Sequence, residues 1–274
     1  MRRQYDRTGF SRVELLVLLV ATAVVLSLGT TMATMTDQKT LTLKDATHLK
    51  TIHQSIMVFA NDQTENHYPR PGLVNRKPVD LGGQLQHIPG RGEEDTTVNT
   101  TANFYSCMVT LNYFEPGMLI SPVDSNTRVV AHAAYDYEAY NPVEDSYWDD
   151  TFKADLYKGS HTSYAHTPMY GKRSNREWRM TLNGSFVVVG NRGPKDGEPI
   201  GSSYTTSPHG LWSGNLAFND NRTEYVESME PEQINGRTPY KDNLFRADRG
   251  VDGEDVLIAF TQYMTKDGPK LQFD

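Results

Sequence analysis

Four acidic side chains lie close together near the end of the chain, in a segment that also contains Gly250 and Gly253. The four acids are Asp248, Asp252, Glu254 and Asp255. Calcium prefers several oxygen ligands supplied by a flexible loop, so this cluster indicates a calcium site. Its spacing does not follow the EF-hand pattern, and acidic, glycine-rich clusters also form ordinary solvated turns. Both interpretations stay open at this point.

The histidines and the single cysteine give weaker indications of chemistry. His161 and His166 are five residues apart, which does not place them on one helix face as a metal-binding pair. We interpret them, together with His132 and His209, as scattered polar or core residues. Cys107 is the chain's only cysteine, which excludes an intramolecular disulfide and a CxxC zinc site. Its apolar neighbours indicate a buried, inert thiol.

An aromatic run in the middle of the chain has two interpretations. Its members are Tyr135, Tyr137, Tyr140, Tyr147 and Trp148. Amphipathic rings suit a carbohydrate- or protein-binding surface, and they also pack small, loop-rich cores. The formal net charge of -7 gives no electrostatic support for nucleic-acid binding. Neither a Gly-x-Ser-x-Gly elbow nor a P-loop nor a Rossmann fingerprint occurs, so we expect a protein that is not an enzyme.

The N-terminus combines a basic head with a long uncharged run that begins just after a carboxylate. Arg2, Arg3 and Arg7 precede Glu14, and the 22 residues of 15–36 carry no charge. As a helix these residues would extend roughly 33 Å, enough for a bilayer core, with the basic end on the cytoplasmic side. A secretory signal peptide or a plain signal anchor would explain the apolar run. Neither explains Glu14, because a carboxylate beside a membrane span is costly unless a partner offsets it.

Residues 9–17 read GFSRVELLV, and this stretch resembles the prepilin processing motif of type IV pilins and type II secretion pseudopilins. The resemblance implies that prepilin peptidase cuts between Gly9 and Phe10 and N-methylates the new amine of Phe10. It also implies that Glu14 pairs with the Phe10 amine of a neighbouring subunit during filament assembly. Arg12 departs from the usual apolar residue, and it could neutralise Glu14 within one subunit.

Beyond residue 36 the pattern predicts a continuing helix, to about Asp62, with one apolar and one polar side. The apolar positions are Leu43, Ala46, Leu49, Ile52, Ile56, Phe59 and Ala60. Lys44, Asp45, Lys50 and Gln54 occupy the other side. We therefore expect an α+β fold in which a long N-terminal helix packs on a small antiparallel sheet with long loops. In this prediction the helix has a membrane-spanning half and an amphipathic half.

Shorter patterns predict the remaining elements of the head. They are a helix or buried segment at 102–114, a glycine-bounded strand at 185–189, a hairpin formed by 215–218 and 222–226 around an Asn-Asp-Asn turn, and a last strand at 256–263.

Taken with the resemblance, these patterns predict three parts of the chain. Residues 1–9 form a cytoplasmic leader, 10–62 form the pilin helix with a transmembrane segment at about 13–35, and 63–274 form a periplasmic head. The resemblance implies a minor pilin or pseudopilin in the bacterial inner membrane, single-pass until it assembles into a filament. Prepilin peptidase, other pilin subunits and the inner membrane would be its partners. The alternatives are a membrane-anchored extracytoplasmic protein that binds carbohydrate or protein without polymerising, and an anchored hydrolase, which the missing motifs disfavour.

Overall fold

The computed structural model describes residues 12–74, 79–80, 85–86, 94–141, 144, 146–198, 212–234 and 241–274. The side chains of residues 12–36, 64, 79–80 and 85–86 lie outside this description. By its internal contacts the chain divides into two compact units, Met1–Leu43 and Lys44–Asp274.

The helices of the described chain are one very long helix and three short ones. They are α1 (Arg12–Asn61), α2 (Pro71–Val74), α3 (Thr101–Thr110) and α4 (Gly171–Glu177). No proline precedes Pro69, so no ring clash interrupts α1. At the start of α3 the Thr100 hydroxyl accepts a hydrogen bond from the Asn103 backbone N–H at 3.2 Å, which is a standard N-cap. Short 3-10 turns connect some of the elements.

The predicted fold contained a membrane-spanning half in the first helix, and this part of the prediction is wrong. Within the residues that the structure describes, no helix combines the length and the apolar composition that a bilayer crossing requires. The part of α1 with described side chains, 37–61, carries five charged residues in its first fourteen positions. They are Asp37, Lys39, Lys44, Asp45 and Lys50. The rest of the expected class, an α+β fold with small antiparallel sheets, agrees with the observed elements.

The largest sheet of the described chain has four antiparallel strands in the order β5-β6-β7-β8. These strands are β5 (Tyr164–His166), β6 (Val187–Asn191), β7 (Gly214–Phe218) and β8 (Thr223–Val226). The pairing sets Ala165 opposite Gly190, Gly190 opposite Leu216, and Leu216 opposite Glu224. The predicted hairpin is confirmed as β7 and β8, and Asn221 in its turn has the positive φ of 67° expected there.

Three two-stranded ladders complete the described strands. They are β1 (Val79–Asp80) with β2 (Leu85–Gln86), β3 (Ala154–Asp155) with β4 (Gly159–Ser160), and β9 (Phe260–Thr265) with β10 (Gly268–Gln272). The last predicted strand therefore begins later than expected, and β10 was not predicted.

One buried apolar cluster joins the second unit's part of α1 to the sheet and to α3. Leu49, Ile52 and Ile56 of α1 are completely buried in it, as are Val188 of β6 and Phe104 of α3. The interior of the head therefore forms around residues 44–61 of α1, which agrees with the predicted amphipathic part of the helix.

Candidate functional site

The prepilin-like stretch at residues 9–17 lies partly outside the part of the chain that the structure describes. Gly9 and Phe10 lie outside the described residues. Glu14 falls within α1, in the stretch whose side chains are not described. The candidate site that the described chain does build is the contact between residues 44–61 of α1 and the head, which we call the helix seat.

The apolar side of the helix seat follows the predicted spacing for most of its length. Leu49, Ile52, Ile56, Phe59 and Ala60 are all buried. They recur at three- and four-residue steps and so share one helix face. Leu43, which the pattern also placed on this face, is 69% exposed and lies in the first unit.

Asp45 was predicted on the polar side of the helix, and this prediction is wrong, because its side chain is completely buried. Tyr164 Oη donates to its Oδ1 at 2.9 Å, Asn191 Nδ2 donates to the same oxygen at 3.4 Å, and the Ser121 hydroxyl donates there too. Asn215 Nδ2 donates to Oδ2 at 2.6 Å. These donors come from β5, β6 and β7 and from the segment that follows a 3-10 turn.

All four donors to Asp45 are neutral, and no cationic side chain of the described chain forms an ion pair with it. A buried carboxylate carries a desolvation cost of several kcal/mol. Each hydrogen bond to a charged acceptor contributes about 1.5–3 kcal/mol, so four together can offset that cost. The arrangement works only when Asp45 faces the ends of three neighbouring strands, so it fixes the register of this part of α1. Sliding the helix by one turn would move the carboxylate about 5.4 Å away.

A second buried polar group lies beside the Asp45 network and contains a cation. Arg192, which follows Asn191 in the chain, is 1% exposed. Its guanidinium donates to both carboxylate oxygens of Asp124, at 2.6 and 3.1 Å, and also to Asp274. The hydroxyl of Ser163 accepts from the Ser121 backbone N–H at 3.0 Å and so joins this region to the helix seat. The bidentate geometry gives a strong, directional ion pair.

The acidic segment predicted as a calcium site is organised by arginines. Asp255 is completely buried and accepts from Arg173 Nη2 at 2.7 Å, and Arg173 is itself completely buried. The same guanidinium donates to the backbone carbonyls of Gly250, Val251 and Asp255. Gly171 at the start of α4 has φ +73°, and a Cβ there would lie 2.5 Å from Asp252 Cα. Helix α4 and this loop are therefore tightly apposed.

The other acids of the segment point to separate partners. Asp248 pairs with Arg246, and Glu254 Oε2 lies 3.1 Å from Arg176 Nη1. Asp252 is exposed. Among the described residues no group of three or more histidine, cysteine, aspartate or glutamate side chains is arranged to hold a metal ion. Asp248, Asp252, Glu254 and Asp255 thus form no metal-binding group in the described chain, and the carboxylates of Asp248, Glu254 and Asp255 are each bonded to an arginine instead.

His166 lies in the core and has a defined hydrogen-bond pattern. Its Nδ1 lies 2.8 Å from the Thr167 carbonyl, so this nitrogen carries the proton. Its Nε2 lies 2.9 Å from the Thr101 hydroxyl, which also accepts from the Thr261 backbone N–H and therefore donates to the ring. Burial lowers the pKa of His166 to about 4, although the bond to Thr167 opposes the shift. The interpretation as a core histidine is confirmed.

His53 is the opposite case, because it is completely buried on α1 and neither ring nitrogen has a hydrogen-bond partner among the described residues. Burial lowers its pKa to about 4, opposed by the nearby Asn221 side chain and the charge of Asp220. Its ring meets that of Tyr68 edge to face at 6.1 Å. A neutral imidazole is thus buried at the helix seat beside the Asn221 side chain, and the sequence pattern did not single out His53.

His132 and His161 lie next to each other near the surface. Their ring centroids are 4.5 Å apart, and His132 Nε2 lies 2.9 Å from the Thr151 hydroxyl and 3.6 Å from Asp149. Burial, and the neighbouring His132, lower the pKa of His161. His209 lies outside the described residues.

The aromatic run divides between the core and the surface. Tyr135, Tyr147 and Trp148 are buried, while Tyr137 and Tyr140 are 46% and 42% exposed. The packing interpretation therefore holds for Tyr135, Tyr147 and Trp148, and the binding interpretation stays a prediction for Tyr137 and Tyr140. Cys107 is buried beside Tyr147 and Trp148, and burial raises the pKa of its thiol to about 12, so the prediction of a buried thiol is confirmed.

Comparison of the chain with protein-family models, with curated proteins and with solved structures finds no match in any of the three.

Proposed function

We propose that this chain is a structural subunit, a minor pilin or pseudopilin, of a type IV pilus or type II secretion pseudopilus. The observation that carries the proposal is the N-terminal sequence, in which basic residues, the Gly9–Phe10 pair, Glu14 and a long uncharged run occur together. Prepilin peptidase would cut between Gly9 and Phe10 and methylate the amine of Phe10. Residues 63–274 would form the head outside the cytoplasm.

The helix seat supports this proposal. A filament subunit needs its head held firmly on the helix, because a head of variable orientation would make the spacing between subunits irregular. In residues 44–61 the apolar face and the Asp45 hydrogen bonds provide such an attachment. The two contributions differ in kind, because apolar burial supplies most of the stability and the directional hydrogen bonds supply the register.

Glu14 has a specific part in the proposed assembly. A terminal amine and a carboxylate are both costly among packed apolar helices, and each offsets the other when they are paired. A subunit whose Glu14 finds no partner amine keeps the penalty, which favours association in register. Arg12 could neutralise Glu14 within the same subunit and so compete with that pairing.

The first experiment tests processing. The chain is produced in a bacterium that has a prepilin peptidase, and the mature N-terminus is read by mass spectrometry. We expect a polypeptide that begins with N-methylated Phe10. The Gly9→Ala variant should stay at its unprocessed length, and Thr8→Ala, one residue away, should be cut normally. A mature chain that begins elsewhere contradicts the proposal.

The second experiment distinguishes a filament subunit from a binding protein that never polymerises. In Glu14→Ala, cleavage should persist while the amount of protein in sheared filament fractions falls. Asp37→Ala removes an exposed acid from the same helix and should leave incorporation unchanged. If the wild type is processed but never enters a filament fraction, the binding-protein alternative is favoured instead.

A further inference from the structure

An open depression of about 400 Å³ lies at the end of α3, lined by Asn112, Phe114, Glu115 and Tyr137. Its volume falls within the range of about 300–1,000 Å³ that is typical of small-molecule sites. It combines an aromatic ring, an amide and a carboxylate in one place. The aromatic ring is held in place by its neighbours, whereas the amide and the carboxylate have no hydrogen-bond partner among the described residues. This combination suits the binding of a ligand.

The aromatic part of the depression has a rigid support. The ring of Tyr137 meets that of Tyr135 at 5.0 Å and 62°. Tyr135 is buried, and its hydroxyl donates to the Ser106 carbonyl at 2.6 Å and lies 2.6 Å from the Thr110 hydroxyl. The supporting ring therefore cannot turn freely, while Tyr137 itself remains 46% exposed. A half-exposed ring on a fixed base is ready for stacking.

The backbone on both sides of Tyr137 is also held. The backbone N–H of Asp136 donates to Asp149 Oδ2 at 2.9 Å, and that of Glu138 donates to Asp136 Oδ1 at 2.9 Å. The second of these bonds closes a tight local turn, and the first ties that turn to Asp149, 13 residues away. The ring position is thus set before any ligand arrives, which lowers the entropy cost of binding.

The polar groups come from the turn that ends α3. The backbone N–H of Asn112 donates to the Val109 carbonyl and that of Tyr113 to the Met108 carbonyl, at 2.9 and 3.1 Å. This is a Schellman motif, and Asn112 takes its left-handed position with φ 59°. Within the described chain neither the Asn112 amide nor the Glu115 carboxylate has a hydrogen-bond partner, so both can bond to a ligand.

A second cavity, lined in part by α4, differs from the depression because its charged side chains are already paired with one another. It has a volume of about 250 Å³ and includes Arg176, Arg249, Asp242 and Glu254. Arg176 is paired with Glu254 and Arg249 with Asp242, each at 3.1 Å. A ligand there would have to break existing ion pairs, whereas one beside Tyr137 would replace only water.

We propose that the Tyr137 depression binds one ring of a neutral carbohydrate. A pyranose offers an apolar C–H face and a rim of hydroxyl groups that both donate and accept hydrogen bonds. Tyr137 suits the apolar face, the Asn112 amide can donate and accept, and the Glu115 carboxylate accepts. The charge of Glu115 disfavours acidic sugars, because like charges repel at short range.

The test uses the full chain and a panel of methyl glycosides of glucose, galactose, mannose and N-acetylglucosamine, with glucuronate and tetramethylammonium for comparison. Binding is followed by saturation-transfer-difference NMR. At least one neutral glycoside should bind saturably and more tightly than glucuronate. Tyr137→Ala should weaken that binding at least about ten-fold, while Tyr137→Phe, which keeps the ring, should stay within about three-fold of the wild type.

Asn112→Gly should weaken the same binding, since it removes the amide but keeps a residue that accepts the left-handed backbone. Tyr263→Ala removes a tyrosine that is 50% exposed on β9 and should have no effect on binding. The proposal is overturned if no neutral glycoside binds saturably, or if Tyr137→Ala binds as the wild type does. It is also overturned if tetramethylammonium binds more tightly than every glycoside, because the ring and Glu115 would then form a cation site.

Discussion

Among the described residues two aspartates, Asp45 and Asp255, are completely buried, and the protein stabilises them in different ways. Asp255 is paired with one buried cation, Arg173, which also bonds three backbone carbonyls of the loop. Asp45 has four neutral donors from separate segments of the chain. The first arrangement closes one local loop onto α4. The second ties the helix to three neighbouring strands.

The two sites differ in how many groups offset the desolvation cost of the buried carboxylate. In the Arg173–Asp255 pair each partner is the only charged compensation for the other, so without Arg173 the Asp255 carboxylate keeps a single bond, from the Asp248 backbone N–H at 3.1 Å. Around Asp45 the compensation is spread over several hydrogen bonds, so losing one donor leaves the rest in place. We therefore expect the loop to be sensitive to one residue and the helix seat to be sensitive mainly to Asp45 itself.

The largest effect should follow from breaking the ion pair. Arg173→Met leaves Asp255 buried without its cation and should lower the free energy of unfolding by about 3–5 kcal/mol. Urea denaturation followed by circular dichroism measures this loss. Lys172→Met, at an exposed position of the same short helix, is the matched control and should change stability by no more than about 0.5 kcal/mol.

A double variant sharpens this first test. Adding Asp255→Leu to Arg173→Met removes the charge that was left unpaired, so it should restore about 1–3 kcal/mol of the lost stability. If the double variant is no more stable than Arg173→Met alone, the ion pair does not account for the loss.

The second effect concerns Asp45. Asp45→Asn keeps the size of the side chain but removes its charge and turns an NH₂ group toward at least one donor. The free energy of unfolding should fall by about 2–3 kcal/mol. Asp37→Asn makes the same change at an exposed position of α1 and should change stability by no more than about 0.5 kcal/mol. If the two variants change the free energy of unfolding equally, the charge of Asp45 does not stabilise the fold.

The two buried histidines, His53 and His166, differ from the two buried aspartates because burial holds them in their neutral form. The pKa of His53 is about 4 in the folded chain, below its ordinary value of 6.5. The unfolded chain therefore takes up the proton first, so the stability contribution is complete above pH 6.5 and is lost as the pH falls towards 4. At pH 5 the loss due to His53 should be about 2 kcal/mol relative to pH 7.5.

His166 has a similar pKa and should add a similar loss, which gives a matched pair of variants. His53→Leu removes its share of the pH dependence and should cost little at pH 7.5, because the ring nitrogens have no described hydrogen bonds. His166→Leu also reduces the pH dependence but breaks the bonds to Thr101 and Thr167. Urea midpoints at both pH values measure the difference, and a His53→Leu chain with unchanged pH dependence contradicts the assignment.

The periodic and turn signals of the sequence predicted much of the helix seat and little of its polar centre. Leu49, Ile52 and Ile56 repeat at helical spacing, and burial of such a stripe follows from the helix geometry alone. Asp45 looks like any solvated acid, because its donors lie between 76 and 170 residues away in the chain. No local pattern encodes contacts of that range.

The acidic loop also shows that a local sequence pattern does not reveal long-range partners, and here the pattern suggested a site that the structure does not contain. Its acids suggested a metal because their spacing is visible in the sequence, whereas the Arg173 that organises Asp255 lies 82 residues away. The strand predicted at 185–189 was found at Val187–Asn191, because Gly190 pairs within the ladder instead of ending it. Local propensity located α1, α3, β6, β9 and the β7–β8 hairpin, and tertiary contacts decided the ends of these elements and the partners of their charged residues.

The smallest effect should come from removing one donor to Asp45. Tyr164→Phe deletes the hydroxyl at 2.9 Å but leaves the three other donors, so we expect a loss of about 1.5 kcal/mol, measured as a shift of the urea midpoint. In the Asp45→Asn background the same substitution should cost less, because the charge that strengthened the bond is gone. Tyr105→Phe, whose hydroxyl donates to the backbone carbonyl of Tyr164, is the control and should cost the same in both backgrounds. If Tyr164→Phe costs as much as Asp45→Asn, the four donors do not share the carboxylate, and the helix seat depends on a single bond as the loop does.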